Sequence, residues 1–450
     1  MIHDFHIDAR HNFDNRATEL VEAIAPFPIY PGTSRLQPPF YTHHTIEVDP
    51  DRASLRVHLT TTTGVDVAVG FVHDSGTVGL SDTSLHKYHE LSEAVQRSQN
   101  VSSFLSTSFV EESLFEWLRK AYLGRNHQSF CAELLLRAQQ DVRPCIIWVP
   151  IPFTSSTQDF VIGRIEFRVL TPDLMDQWFR AVLQDSPQDE DGAKKRDHVT
   201  SVYAKYQGFL AGTFSCEAEP IRAKELAYGH LANSLAILRL ISPANFAPEI
   251  VSGAYEYGEK MISTQTYFVT NPNLSISKEI STFLNPSIRW TVDQPQIDML
   301  KSVEFSAVHG LLTQSNLNDF QRKLLDALVI YSKNTLRQEL YDRLLYILVA
   351  LESLLLKNES EPIQQNIADR IAFAIAKTAQ ERTSVVKTVK AIYDIRSRYL
   401  HHGAIRAENL TLVREFMELV WIMFFSLIQN AHRFKTPQQC VDALDKIKYS

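Results

Sequence analysis

The chain has 450 residues, a formal net charge of −7 at pH 7, 44% hydrophobic residues and 22% charged residues. That length is sufficient for two or three domains with buried cores, and the composition is typical of soluble globular proteins. The negative net charge argues against a protein that coats nucleic acid without selectivity.

Neither membrane attachment nor secretion is indicated by the sequence. No stretch approaches the roughly 20 consecutive apolar residues that a membrane-spanning helix needs. The first residues lack the basic and then apolar segments that mark a signal peptide. The four cysteines form no Cys-x-x-Cys pair, which argues against a disulfide-stabilised fold and against a zinc site. We therefore expect a cytoplasmic protein without membrane contact.

The N-terminal part has patterns of both strands and helices, and we assign residues 1–185 to an α+β domain with a sensing or regulatory role. Alternation of apolar and polar residues, together with runs rich in Ile, Val and Phe, predicts strands at 44–48, 55–59, 65–71, 145–152 and 160–170. Helices are predicted at 109–140 and 172–184. The polar, charged run 184–197 predicts a linker or a long loop.

The middle region, 198–312, is predicted to be mixed and largely helical. A helix is expected at 217–241, and 263–310 combines strand-like pieces such as Thr266-Tyr267-Phe268-Val269 with turns.

From residue 315 onwards the pattern becomes all-helical. Five apolar stripes at helical spacing begin at Leu317, Leu340, Ile363, Val385 and Leu412. The short polar connections between them favour antiparallel neighbours, so residues 315–435 are predicted to form a helical bundle. The predicted fold class is therefore α+β, with an N-terminal mixed α/β region followed by a C-terminal all-α helical bundle.

The fourth of these helices carries the most informative motif of the chain. It ends in Arg396-Ser397-Arg398-Tyr399-Leu400-His401-His402-Gly403, and Arg396 falls on the apolar stripe of the helix. A guanidinium keeps its charge when it is buried, so it needs an anionic partner or a polar cleft. Gly403 is expected to end the helix, which leaves His401 and His402 in its last turn. Such a combination of residues is typical of a phosphate-binding site.

The sequence of this helix resembles a known family. The run 391–403, Ala-Ile-Tyr-Asp-Ile-Arg-Ser-Arg-Tyr-Leu-His-His-Gly, looks like the signature of Apea-like HEPN domains, which belong to a superfamily of all-helical RNases marked by Arg-x4-6-His. The run 349–355, Val-Ala-Leu-Glu-Ser-Leu-Leu, is similar to the Ala-Leu-Glu stretch of the same domains. The resemblance covers about 315–435 and implies a HEPN-like helical bundle there.

The resemblance implies a metal-independent endoribonuclease whose catalytic residues are Arg396 and His401. Cleavage of RNA requires deprotonation of the 2′-hydroxyl, stabilisation of the phosphorane and protonation of the leaving oxygen. Histidine suits the proton transfers because its usual pKa is about 6.5, and arginine suits the phosphate because its planar fork stays charged. HEPN domains generally dimerise through their motif helices, so a composite site shared by two chains is expected.

Further residues are assigned supporting roles in this site: Glu352, Ser397, Arg398, Tyr399 and His402. Glu352 stands in the most apolar stretch of the bundle, where a carboxylate is costly unless it is paired, and Arg396 is its natural partner. His402 also satisfies the general spacing from Arg396, so it is the alternative acting imidazole.

Purely structural interpretations of the same residues stay open at this point. Arg396 could pair with Asp394, with Glu352 or with an acid near the C-terminus. His401 could simply interact with the negative end of the helix dipole, which stabilises a cation by roughly 0.3–1 kcal/mol. Glu352 could lie on the exposed face of its helix.

By the same resemblance we expect a toxin-like effector of bacterial anti-phage defence, which halts the infected cell by abortive infection. Its partners would be an RNA substrate, a second copy in a homodimer or higher oligomer, and a phage-derived protein trigger. The alternative is a HEPN-type sensor or scaffold that binds RNA or protein without cleaving it.

A third alternative places an enzyme site in the N-terminal region, where histidines cluster at 3–11 and again at His86 and His89. Neither cluster has the complete spacing of a known zinc motif. The sequence has no phosphate-binding P-loop, no Gly-x-Gly-x-x-Gly and no Gly-x-Ser-x-Gly. We therefore expect no cofactor and no metal.

Overall fold

A computed structural model of the chain describes fourteen ranges of residues. These are 4–26, 43–48, 55–60, 66–73, 76–99, 101–125, 128–184, 190–255, 264–270, 276–283, 290–314, 316–358, 360–402 and 410–449. The Cα positions divide into two compact units, one of residues 1–147 and 215–226 and the other of residues 148–214 and 227–450. The domain limits predicted from the sequence stay predictions.

The first unit combines an antiparallel sheet with helices. Its elements begin with α1 (Ile7–Glu22), β1 (Ala25–Pro26), β2 (His43–Val48), β3 (Leu55–Thr60), β4 (Asp66–His73), β5 (Gly76–Ser81), α2 (Asp82–Gln96), α3 (Thr107–Tyr122) and α4 (Phe130–Asp141). The strand order is β1-β5-β4-β3-β2, and every pair is antiparallel. Helix α2 packs against β4 and β5, and Leu91, Val110 and Leu114 are fully buried in the core between helices and sheet. Strands β2 to β4 confirm the predicted strands.

A second sheet and several short strands follow. The elements are β6 (Arg143–Ile151), β7 (Thr154–Ser156), β8 (Phe160–Ile162), β9 (Ile165–Val169), α5 (Pro172–Gln184), α6 (Glu190–Tyr206), β10 (Leu210–Ala218), α7 (Pro220–Leu240), β11 (Thr264–Thr270), β12 (Ile276–Phe283) and β13 (Trp290–Val292). The sheet has the order β6-β10-β9-β8. The predicted strand at 160–170 is a hairpin that turns at Gly163, whose φ of 63° lies in the left-handed region that favours glycine.

Two sequence predictions in this part are wrong. Residues 190–197, predicted as linker, form the first turns of α6. The run contains Ala, Lys, Arg and Glu, which favour helix, but residues 193–198 are all exposed and therefore show no apolar stripe. The second error concerns 294–310, predicted as part of a region of strands and turns, which lies almost wholly in two helices.

These two helices are α8 (Gln294–Lys301) and α9 (Val303–Thr313). A reciprocal capping box starts α8: Asp293 Oδ1 accepts from the amide of Gln296, while Gln296 Oε1 accepts from the amide of Asp293, both at 3.1 Å.

The C-terminal part is a helical bundle within the second unit. Its helices are α10 (Asp319–Ser332), α11 (Leu340–Leu355), α12 (Ile363–Ile375), α13 (Ala379–His402), α14 (Leu410–Gln429) and α15 (Pro437–Tyr449). Helix α13 packs against α11, α12 and α14. The predicted bundle and the predicted α+β fold class are confirmed.

The predicted apolar stripes form the core of this bundle. Phe320, Leu324, Leu328 and Tyr331 of α10 are completely buried. Complete burial of such a side chain contributes about 1.5–3 kcal/mol, so α10 is held mainly by this one face. Helix α12 begins at Ile363, where its predicted stripe begins, directly after the N-cap residue Pro362.

Candidate active site

Helix α13 carries the predicted motif and is fixed in the bundle by its apolar stripe. Val385, Val389 and Ile392 on this stripe are buried. Arg396 continues the same face one turn later. The helix is described as far as His402, and the stop predicted from Gly403 lies outside the described residues. The side chains of His401 and His402, and the residue Gly403 itself, lie outside the described part of the structure.

Arg396 is paired with Glu352 of the neighbouring helix α11, as the sequence predicted. Arg396 Nη1 donates to Glu352 Oε1 at 3.0 Å, and the two side chains are 26% and 18% exposed. The alternative partner Asp394 instead accepts from Gln364 Nε2 at 3.1 Å. Glu352 therefore lies on an inward face of α11, and the prediction of an exposed glutamate is wrong.

A third side chain completes this cluster. Tyr393, one turn before Arg396, donates its hydroxyl to the same Glu352 Oε1 at 3.0 Å. Burial of the Tyr393 ring, reinforced by the negative charge of Glu352, raises the pKa of the phenol well above its usual value. The phenol therefore stays protonated and acts as a donor at any physiological pH. Glu352 consequently accepts two hydrogen bonds through one oxygen atom.

The guanidinium of Arg396 has N–H donors that its hydrogen bond to Glu352 does not use. Its Nε is buried and has no hydrogen-bond partner among the described residues. A guanidinium has five N–H donors, and its contact with Glu352 uses one of them. An anion approaching the exposed part of the guanidinium would find further N–H groups with a fixed orientation.

An aromatic pair lies beside the guanidinium. Tyr399, one turn after Arg396, is stacked on Tyr341 of α11, with ring centroids 4.1 Å apart and ring planes 4° from parallel. Both rings and Arg396 line a cavity of about 20 Å³ together with Asp342, Leu344 and Leu345. Tyr341 was not predicted as a site residue, although its spacing of three from the buried Leu344 places it on the apolar face of α11.

The structure brings five residues together in two groups. Glu352 binds both Arg396 and Tyr393, and Tyr399 stacks on Tyr341 at a cavity that Arg396 also lines. Two other predicted supporting residues, Ser397 and Arg398, are exposed on α13. Their positions directly after Arg396 turn them away from the face that packs on α11.

Histidines of the N-terminal region contact carboxylates within their own unit. His6 Nδ1 lies 3.6 Å from Asp8 Oδ2, and His86 Nε2 lies 3.3 Å from Glu90 Oε1. His89 contacts Glu111 instead. His3 lies outside the described residues. Within the ranges that the structure describes, no three His, Cys, Asp or Glu side chains are close enough to hold a metal ion.

Comparison with models of protein families, with curated proteins and with solved structures gave no match for this chain. The resemblance to HEPN domains therefore depends on the motif residues themselves. Among the described helices, none has the length and apolar character required to cross a membrane.

Proposed function

We propose that this protein is a cytoplasmic, metal-independent endoribonuclease of HEPN type, with Arg396 and His401 as its catalytic residues. The observation that carries the proposal is the ion pair between Arg396 and Glu352, which fixes a guanidinium with unused donors on the motif helix of an all-helical bundle. The resemblance of 391–403 to Apea-like HEPN domains supplies the substrate class.

In this mechanism Arg396 binds the scissile phosphate and stabilises the charge that develops on the phosphorane. Glu352 orients the guanidinium, and Tyr393 fixes Glu352 through the hydroxyl hydrogen bond. Pre-oriented donors of this kind contribute about 10²–10³-fold to a rate when they are aimed at the developing charge. Both Glu352 and Tyr393 act through Arg396, so they are positioning residues.

His401 supplies a proton transfer. The 2′-hydroxyl loses its proton and attacks phosphorus, the bond from phosphorus to the 5′-oxygen breaks, and that oxygen gains a proton. The products are a 2′,3′-cyclic phosphate and a 5′-hydroxyl. Two proton-transfer groups are needed, so we place the second on the motif helix of a partner chain in a homodimer.

We further propose that the enzyme is a toxin-like effector of anti-phage defence. An unregulated RNase harms its own cell, and the chain has a large α+β region that precedes the bundle. That region would keep the nuclease inactive until a phage-derived protein binds to it. This step depends on analogy with proteins that contain Apea-like domains.

The test is cleavage of total cellular RNA by purified full-length protein in the presence of EDTA. We expect cutting by the wild type and none by His401→Ala. Arg396→Lys retains the charge but loses the planar fork, and we expect a loss of about 10²-fold or more. Arg382→Ala, about four turns earlier on the same helix, is the matched control and should cut like the wild type.

Glu352→Gln tests the positioning role. It keeps the size of the side chain and removes the charge that holds Arg396, so we expect about a tenfold to hundredfold lower rate with a folded protein. Unchanged activity would remove Glu352 from the site. Equal cutting by the wild type, His401→Ala and Arg396→Lys would contradict the assignment of the site, with His402 the next residue to change.

A second function is favoured by one observation. Glu352 provides Arg396 with an anionic partner from the same chain, as expected for a structural ion pair in a binding module. Binding of RNA or protein without cleavage by any variant would support this non-catalytic sensor or scaffold.

A further inference from the structure

The stacked pair of Tyr341 and Tyr399 joins α11 to α13 at the cavity that Arg396 also lines. The two rings are nearly parallel, with planes 4° apart and centroids 4.1 Å apart, which is an offset stack of the kind that aromatic rings favour. Tyr341 is only 9% exposed, while Tyr399 is half-buried. The stack is therefore anchored by Tyr341 on α11, and Tyr399 is its outer member.

The surroundings of Tyr399 combine one cation with an apolar edge. Arg396 precedes Tyr399 by three positions, about 4.5 Å along the helix axis, and lies on the same face of α13. Leu345 lines the same cavity and is 39% exposed. Asp342 also lines this cavity, and its negative charge disfavours a phosphate inside it. A phosphate would therefore contact Arg396 from outside the cavity, and an uncharged ring suits Tyr399.

The size of the cavity decides where a ligand ring would lie. Its volume of about 20 Å³ holds no more than one water molecule, and rings 4.1 Å apart leave no gap between them. A planar ligand therefore lies on the outer face of Tyr399. Every nucleobase has a π-face suited to this contact, but a base within a duplex is already stacked on both sides.

We propose that Tyr399, backed by Tyr341, is a stacking platform for one unpaired base of the RNA, next to the phosphate held by Arg396. This inference rests on the proposed function and adds a specificity determinant to it: single-stranded RNA is bound and duplex RNA is rejected. Tyr399 is the residue that contacts the base, and Tyr341 positions it.

The experiment compares full-length wild type with Tyr399→Leu and Tyr399→Phe. The probes are a short single-stranded oligoadenylate that contains one 2-aminopurine and its duplex with oligouridylate. Polarisation of an attached dye reports binding, and the fluorescence of 2-aminopurine reports stacking. We expect wild type and Tyr399→Phe to bind the single strand in preference to the duplex and to quench the 2-aminopurine. Tyr399→Leu should bind the single strand about 5- to 140-fold more weakly and lose the quenching.

A merely structural role of Tyr399 gives a different pattern. In that case Tyr399→Leu would lower the melting temperature and weaken the binding of single strand and duplex by the same factor. Either that result, or single-strand binding by Tyr399→Leu equal to that of the wild type, would overturn the platform and leave the nuclease intact. If the wild type neither binds nor cuts RNA, the proposed function fails and the platform fails with it.

Discussion

The segment 243–254, which follows α7, is held by two completely buried arginines, and we predict that it opens when one of them is replaced. Arg239 of α7 donates from Nε and Nη2 to the carbonyl oxygen of Ala254, at 2.9 and 2.7 Å. Arg343 of α11 contacts the same segment from the other side. Both side chains are fully buried, so their charges are satisfied mainly by backbone carbonyls of this segment.

The magnitude follows from the contacts of Arg343. Its guanidinium donates to the carbonyl oxygens of Arg337 at 2.7 Å, of Ala244 at 3.2 Å and of Ala247 at 3.3 Å, and also to that of Ile250. A hydrogen bond from a charged donor contributes about 1.5–3 kcal/mol, and desolvation of the guanidinium offsets a large part of the sum. That desolvation also lowers the pKa of Arg343 to about 10. Arg343→Met leaves these carbonyl oxygens with fewer donors, at about 1–3 kcal/mol for each one that stays buried and unsatisfied, so we expect the free energy of unfolding to fall by about 3–5 kcal/mol.

The assay is limited proteolysis of native protein, with the cutting rate measured within 243–254. An opening free energy lower by about 3 kcal/mol raises the rate by about 100-fold when opening is fast relative to cutting. The matched control is Arg414→Met, because Arg414 contacts Glu249 of the same segment but the two side chains are 49% and 45% exposed. Such exposed pairs contribute at most about 1 kcal/mol, so this variant should change the rate little.

Two results would refute this reasoning. If Arg343→Met and Arg414→Met are cut at the same rate, burial of the guanidinium does not hold the segment. If Arg343→Met is as stable as the wild type in a denaturant titration, the carbonyl groups of the segment find other donors, and the four hydrogen bonds contribute nothing net.

Two further predictions concern pH. Arg370 forms a bidentate pair with Asp445, at 2.9 and 3.0 Å, which lowers the pKa of Asp445 to about 2. The pair therefore stabilises the folded protein above about pH 4, and this stabilisation is lost as the pH falls towards 2. Calorimetry should therefore show a lower melting temperature for Asp445→Asn at pH 7, and a constant difference down to pH 2 would contradict the assignment. His89 Nδ1 lies 2.7 Å from Glu111 Oε1, and this hydrogen bond raises the pKa of His89. The pair therefore stabilises the fold below pH 6.5, and the stabilisation is lost as the pH rises through the raised pKa. NMR titration should give His89 a midpoint above 6.5 that Glu111→Gln lowers, and an equal midpoint in both proteins would exclude this cause.

The sequence by itself determined the helices of the bundle and one contact of the candidate site. Positions at spacings of three and four share a face of a helix, so the burial of Leu324 and Leu328 could be predicted without knowledge of any neighbour. The pairing of Glu352 with Arg396 could be predicted because each is an uncompensated charge on an apolar stripe, and a low dielectric favours their contact.

Only the tertiary structure decided which helices meet, and with them the remaining features of the site. The stack of Tyr341 on Tyr399 depends on the register of α11 against α13, which local spacing does not contain. The burial of Arg343 depends on a segment about 100 residues earlier in the sequence that brings its carbonyl groups to α11. Periodicity is a local property of one helix, whereas these contacts arise from the packing of one helix face on another. The sequence therefore predicts which residues share a face, and the fold determines which other element that face contacts.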